Sequence, residues 1–88
     1  MNNKKRNYYV IINSKNEFMD NTLFRNFTSE ISGARFYKTI NGAHRGLKKE
    51  IDYNENKNKI NHDGRYYKTD SAQWEIVEIR FNIVHIQG

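Results

Sequence analysis

Residues 34–52, Ala-Arg-Phe-Tyr-Lys-Thr-Ile-Asn-Gly-Ala-His-Arg-Gly-Leu-Lys-Lys-Glu-Ile-Asp, decide the fold. They read as a short strand that turns at Thr39 into an amphipathic helix over 39–52. Thr39 suits the N-cap, because its hydroxyl can accept a bond from an unpaired amide of the first turn. Beyond it Ile40, Ala43, Leu47 and Ile51 recur at helical steps and form one apolar stripe. Arg45, Lys48 and Lys49 fall roughly 80–180° from that stripe, at about 100° per residue. One face is expected to pack and another to carry positive charge.

Outward from this stretch, residues 7–13 are β-branched and aromatic on both faces, as expected of a strand inside a sheet with one face under the helix. Ser14 to Glu17 is a turn in which Asn16 can take a positive φ, and Phe18-Met19 begins the return strand. Residues 20–32 read in two ways. Leu23, Phe24, Phe27 and Ile31 fit a short helix. Alternatively, Leu23 to Thr28 continues the hairpin and Ser29 to Gly33 makes a helical turn, which is the preferred reading because Gly33 stops a turn well. Arg35 to Lys38 then resumes as a strand. Residues 52–64, rich in Asn, read as a flexible loop. The last strand, 74–86, alternates Val77, Ile79, Phe81 and Ile83 on one side with Glu78, Arg80 and Asn82 on the other. Trp74 and Ile76 have the opposite parity, which suggests a bulge or a covered strand end there.

These elements predict a single α+β domain over 1–88: a mainly antiparallel sheet of three to five strands with one helix on one face. Its expected core is Val10, Ile12, Phe36, Ile40, Ala43, Leu47, Ile51, Val77, Ile79, Phe81 and Ile83. With 88 residues, 36 % of them hydrophobic, the interior is small, and twelve aromatic side chains must supply much of it. No run approaches the ~20 apolar residues of a membrane span, and five largely apolar residues after the basic arm 1–6 are too few for a signal peptide. The absence of cysteine excludes disulfides and thiolate chemistry. A cytoplasmic setting is expected.

The net charge of +5 is unevenly placed. Residues 1–49 hold ten Lys/Arg against three Asp/Glu, whereas 50–88 hold five against seven. That asymmetry suits an anionic partner, and it also suits simple solubility with the charges scattered in space. Basic residues alternate with aromatics in Lys4 to Tyr9, in Arg35-Phe36-Tyr37-Lys38 and in the similar Arg65-Tyr66-Tyr67-Lys68. Nucleic-acid binders use this mixture, because cations neutralise phosphates while rings stack on bases. In a small sheet the same rings also serve as core and cross-strand partners. Arg35, Tyr37, Lys38, Arg45, Lys48, Lys49, Arg65 and Tyr67 are therefore the candidate partner- or nucleic-acid-binding residues.

Gly42 and Gly46, one turn apart in the helix, each cost about 1 kcal/mol relative to alanine. They read either as a bare patch for the approach of another backbone or as tolerated surface glycines. His44, His62 and His85 have no metal-ligand spacing; His44, beside the apolar stripe, reads as a half-buried packing residue. The serines lack a nucleophile motif, and Glu75 and Glu78 face opposite sides of their strand. No catalytic residue, metal or cofactor is expected, and the chain reads as a binding protein.

The order Ile31-x-x-Ala34-Arg35-Phe36-Tyr37-Lys38-Thr39-x-x-x-Ala43-x-x-x-Leu47, between a Tyr-Val-Ile hairpin and a Trp-Glu-Ile-Val strand, resembles small accessory proteins of phages and mobile elements of Gram-positive bacteria. The resemblance covers most of residues 8–84, and residues 52–73 have no counterpart in it. It implies a mobile-element origin. Among such proteins are anti-CRISPR and other anti-defence inhibitors, which act by binding in the host cytoplasm. The partner it implies is a host nucleoprotein complex, such as a CRISPR nuclease with its guide RNA, met through an acidic protein surface or through nucleic acid. A direct RNA- or DNA-binding accessory protein is the alternative, and an unrecognised small enzyme the third.

Overall fold

Ten residues, Asn3–Ile12, form β1 and pair antiparallel along their whole length with β4, Glu75–Val84, from Asn3 opposite Val84 to Ile12 opposite Glu75. The computed structural model describes residues 3–22, 26–55 and 70–84. Two short strands, β2 (Phe18–Met19) and β3 (Phe27–Thr28), complete a four-stranded antiparallel sheet in the order β3-β2-β1-β4. One helix, α1, spans Ile40–Glu55. The protein is therefore of the α+β class, as its sequence predicts. No helix among the described residues is long and apolar enough to cross a membrane.

The β1–β2 turn forms for local reasons. Asn16 adopts φ 61°, a left-handed conformation that asparagine tolerates better than most residues. Behind it Asn13 is buried, and its Oδ1 accepts bonds from the amides of Lys15 (3.0 Å) and Glu17 (2.9 Å). Its Nδ2 donates to Glu17 Oε1 at 2.9 Å, so the buried amide is satisfied on both sides. After β3, a 3-10 turn over Ile31–Gly33 leads into residues 34–37, so the helical turn of the preferred reading of 20–32 is present; the strand of that reading is confined to Phe27–Thr28 among the described residues, and Leu23 to Arg25 lie outside them. The expected strand 35–38 contracts to two bridges, Ala34 to Asp20 and Tyr37 to Tyr9. Tyr9 and Tyr37 exchange both backbone bonds at 2.8 Å, which clamps the segment onto β1 just before the helix.

Thr39 caps α1 as expected, its hydroxyl accepting from the Gly42 amide at 2.9 Å. The helix runs one turn further than 52, so residues 52–55 of the expected loop are helical and 56–64 lie outside the described residues. Ser71 explains where the end is anchored. Buried in a 3-10 turn over Ser71–Gln73, it donates to Glu55 Oε2 at 3.3 Å and ties the helix to the start of β4. Residues 3–6, expected as a basic arm, belong to β1, because Phe81 to Val84 offer them a full antiparallel partner.

Residues opposite one another in this ladder share a face, and neighbours alternate. Ile11 and its partner Ile76 lie on the helix side, in one cluster with buried Met19 and Trp74 and with the half-buried Phe27, Tyr37, Leu47 and Ile51. Of the two readings of Trp74 and Ile76, the bulge is not found, since the register runs unbroken from Glu75 to Val84, and the covered strand end is. Those two residues mark the face under α1. Val77 and Ile79, expected in the core, lie on the other face with Val10 and Tyr8, where Phe36 meets Tyr8 edge-on at 5.6 Å. Of the expected core, Val10 and Ala43 are buried, and Ile12, Phe36, Leu47, Ile51, Val77 and Ile79 are half-buried. Ile40 is 41 % exposed, and the side chains of Phe81 and Ile83 lie outside the described set.

The exposure of Ile40 follows from a roll of the helix. Its buried positions are Ala43, Glu50 and Asn54, so the face turned inward is centred roughly 50° from the apolar stripe, at about 100° per residue. Ile40 and His44 move to the rim, and His44 is exposed instead of half-buried.

Candidate functional site: the outer face of the helix

Glu50 shows why the helix sits in this roll. Its carboxylate is 5 % exposed and meets the Arg35 guanidinium at 3.5 Å. Arg35 Nη2 also donates to the Thr22 carbonyl at 3.1 Å, so the guanidinium joins the helix to the loop after β2. Charges taken out of water need such partners. Arg35, a candidate partner-binding residue, is therefore engaged within the fold, its side chain only 26 % exposed.

Gly46 and Tyr37 supply the second contact. A Cβ built on Gly46 would come within 2.4 Å of Tyr37 Oη and 2.6 Å of Cζ, so the phenol ring rests directly against the helix backbone. The bare patch expected at this glycine is real, but its occupant is Tyr37 of the same chain. Tyr37 thus belongs to the core cluster, on the face opposite Phe36. At Gly42 a Cβ would meet the capping hydroxyl of Thr39 at 3.0 Å, so that glycine also serves the cap. The sequence signal for both was the helix-interior glycine itself, which must repay its cost somewhere. Which group repays it could not be read locally.

This contact predicts a measurable coupling. Gly46→Ala should cost up to about 2 kcal/mol, because overpacking by roughly 1–3 kcal/mol exceeds the gain in helix propensity. In a Tyr37→Leu background the same change should stabilise by about 1 kcal/mol, since the ring it collides with is gone. Urea denaturation of the four proteins of this cycle measures it, and additive changes would show that the ring does not sit on Gly46.

What remains for a partner lies on the other side of α1. Arg45, Lys48 and Lys49 are all exposed, as expected, and Lys38 is exposed just before the cap. Lys48 Nζ lies 3.7 Å from Asp52 Oδ2, with the two side chains 79 % and 60 % exposed. Such a surface pair contributes little and can be exchanged for an external anion. Arg65 and Tyr67, the remaining candidates, lie outside the described residues. Among the described residues no three His, Cys, Asp or Glu side chains gather to hold a metal ion. The arrangement is a convex positive helix face that can attract phosphates or carboxylates. Compared with known proteins, the chain matches no family model, no curated protein and no solved structure.

Proposed function

We propose that this protein is a non-enzymatic binding protein that docks the outer face of α1 on an anionic partner. The observation that carries the reading is a division of labour among its cations. Arg35 is spent inside the fold on Glu50, whereas Arg45, Lys48, Lys49 and Lys38 face solvent. A packed helix whose outer arc keeps three cations holds its charges on a rigid element, where binding loses little side-chain and no backbone freedom. The resemblance to small phage and mobile-element proteins supports the finer reading. The partner is a host defence complex in the bacterial cytoplasm, of the CRISPR nuclease and guide-RNA type, and the protein is its inhibitor.

Arg45→Ala/Lys48→Ala/Lys49→Ala tests this. The triple variant should unfold like wild type, because alanine is at least as good a helix former and exposed charges contribute little. Inhibition of a CRISPR nuclease in a plasmid-interference assay should fall about tenfold or more, equivalent to about 1.4 kcal/mol of binding. A folded triple variant that inhibits as well as wild type would refute the helix face as the docking surface. If wild type does not inhibit, the finer reading fails while the docking face stays testable with nucleic acid.

The second reading, direct RNA or DNA binding, is favoured by one observation. Lys4, Lys5 and Arg6 lie where β1 pairs with β4 alone among the described residues, and a two-stranded ribbon of that kind fits a duplex major groove. Retardation of a 20-bp duplex should then weaken by about 0.9 log units per phosphate contact per decade of salt. No retardation at low salt would leave an acidic protein surface as the partner.

A further inference from the structure

β4 ends the sheet on one side, and its outer edge has no strand partner among the described residues. The opposite edge, β3, is only two residues long and offers little to pair with. β4 is ten residues long. Proteins blunt exposed edges with proline, with shortness or with charges that repel a neighbour. The chain has no proline, and β4 carries three charges among its described side chains, Glu75, Glu78 and Arg80, all exposed. Whether those charges guard the edge or recruit to it depends on what they would meet.

A second copy approaching this edge about a two-fold axis pairs β4 antiparallel with itself. Residues directly opposite across such a pair share a face, and opposite charges there attract while like charges repel. With Ile79 opposite Ile79 of the second copy, Glu78 falls opposite Arg80 and Arg80 opposite Glu78. Val77 then stands at the register position of Phe81. Sliding the pair by two residues in one direction sets Glu78 against Glu78. Sliding it in the other sets Arg80 against Arg80. The charges of β4 therefore favour the register centred on Ile79 and disfavour both of its neighbours.

Within one chain the two groups already lie close, with Arg80 Nε 3.9 Å from Glu78 Oε2. Arg80 is 73 % exposed and Glu78 37 % exposed, so each has room to turn to a partner across the edge. Across the ladder Arg80 stands opposite Asn7 and Glu78 opposite Tyr9, so neither charge has an opposite number on β1. We infer that β4 is a self-pairing edge: two copies join antiparallel through β4, centred on Ile79, with Glu78–Arg80 pairs on either side of the axis, and the two four-stranded sheets become one. This surface is separate from the helix face proposed for the anionic partner, so either can fail without the other.

Sedimentation equilibrium on the full chain over a range of concentrations reads the association. Wild type should show a monomer–dimer equilibrium. Glu78→Arg and Arg80→Glu should each raise the dimer dissociation constant about tenfold or more, because each sets like charges opposite one another. An equimolar mixture of the two variants should dimerise again, one chain then carrying two cations and the other two carboxylates. The double variant Glu78→Arg/Arg80→Glu should also dimerise, and it keeps the test open if a single variant misfolds by circular dichroism. A wild type that stays monomeric at all concentrations overturns the proposal, as would happen if another part of the chain covered the edge. So would single variants that dimerise like wild type, or a mixture that does not recover.

Discussion

Trp74→Ala is expected to lower the unfolding free energy by about 3–5 kcal/mol, the largest loss from any single truncation in the core. The indole is 6 % exposed and belongs to the cluster of Ile11 and Met19 that β1 and β2 supply. It meets the Phe27 ring edge-on at 5.4 Å, a geometry in which the positive rim of one ring faces the negative face of the other. Phe27 lies on β3, a two-residue edge strand with few bonds of its own to hold it. Removing the indole opens a cavity and also frees that edge. Leu47→Ala, on the helix side of the same cluster, should cost less, about 2 kcal/mol, because Leu47 is only half-buried. Urea denaturation of the two variants measures the order. A larger loss at Leu47 would mean that the helix, and not the Trp74 corner, is the centre of the core.

The sequence places Leu47 in the expected core and leaves Trp74 out of it, whereas Trp74 is buried and Leu47 half-buried. Helical periodicity locates Leu47 on an apolar stripe, and alternation locates Val77 and Ile79 on an apolar side of the last strand. Neither says which face a helix will cover when β1 is apolar on both faces and Ile76 sits on the side of β4 that carries Glu78, Arg80 and Asn82. The decision falls to residues with no periodic signal. Met19 and Trp74 stand at the ends of strands, and each adds a large side chain to the Ile11 face. Where chemistry is local, the reading holds. Thr39 caps the helix, Asn16 turns the hairpin, and Gly33 ends its 3-10 turn.

The same boundary divides the candidate site. Arg45, Lys48 and Lys49 are legible as an exposed arc because their positions depend only on the helix period. Arg35 and Tyr37 share the basic-aromatic pattern of a nucleic-acid strand, yet their partners are Glu50 and Gly46, roughly two to four helical turns away on α1 when counted along the chain. A glycine inside a helix is an anomaly that points to something that must approach, whereas a carboxylate off the apolar stripe is ordinary. Only the fold shows that the groups approaching Gly46 and Glu50 come from the same segment just before Thr39.

Arg35→Ala should therefore behave as a stability variant, at a cost of about 3 kcal/mol. It removes the guanidinium that meets the buried Glu50 carboxylate and the donor to the Thr22 carbonyl. Glu50→Leu alone leaves the guanidinium facing an apolar side chain and should cost about the same. Changed together, Arg35→Met/Glu50→Leu should recover most of the loss, because a well-packed apolar pair can replace a buried ion pair at little cost. Arg35→Met and Glu50→Leu singly, with the double variant and wild type, close a double-mutant cycle in urea, and strictly additive losses would dissolve the pairing. The folded double variant then answers the functional question that Arg35→Ala cannot, since that single change confounds folding with binding. If Arg35 only orients α1, the double variant should inhibit or bind as well as wild type, while the Arg45/Lys48/Lys49 variant does not. A folded double variant that loses binding would place the guanidinium in the interface as well, at the point where the basic strand meets the helix.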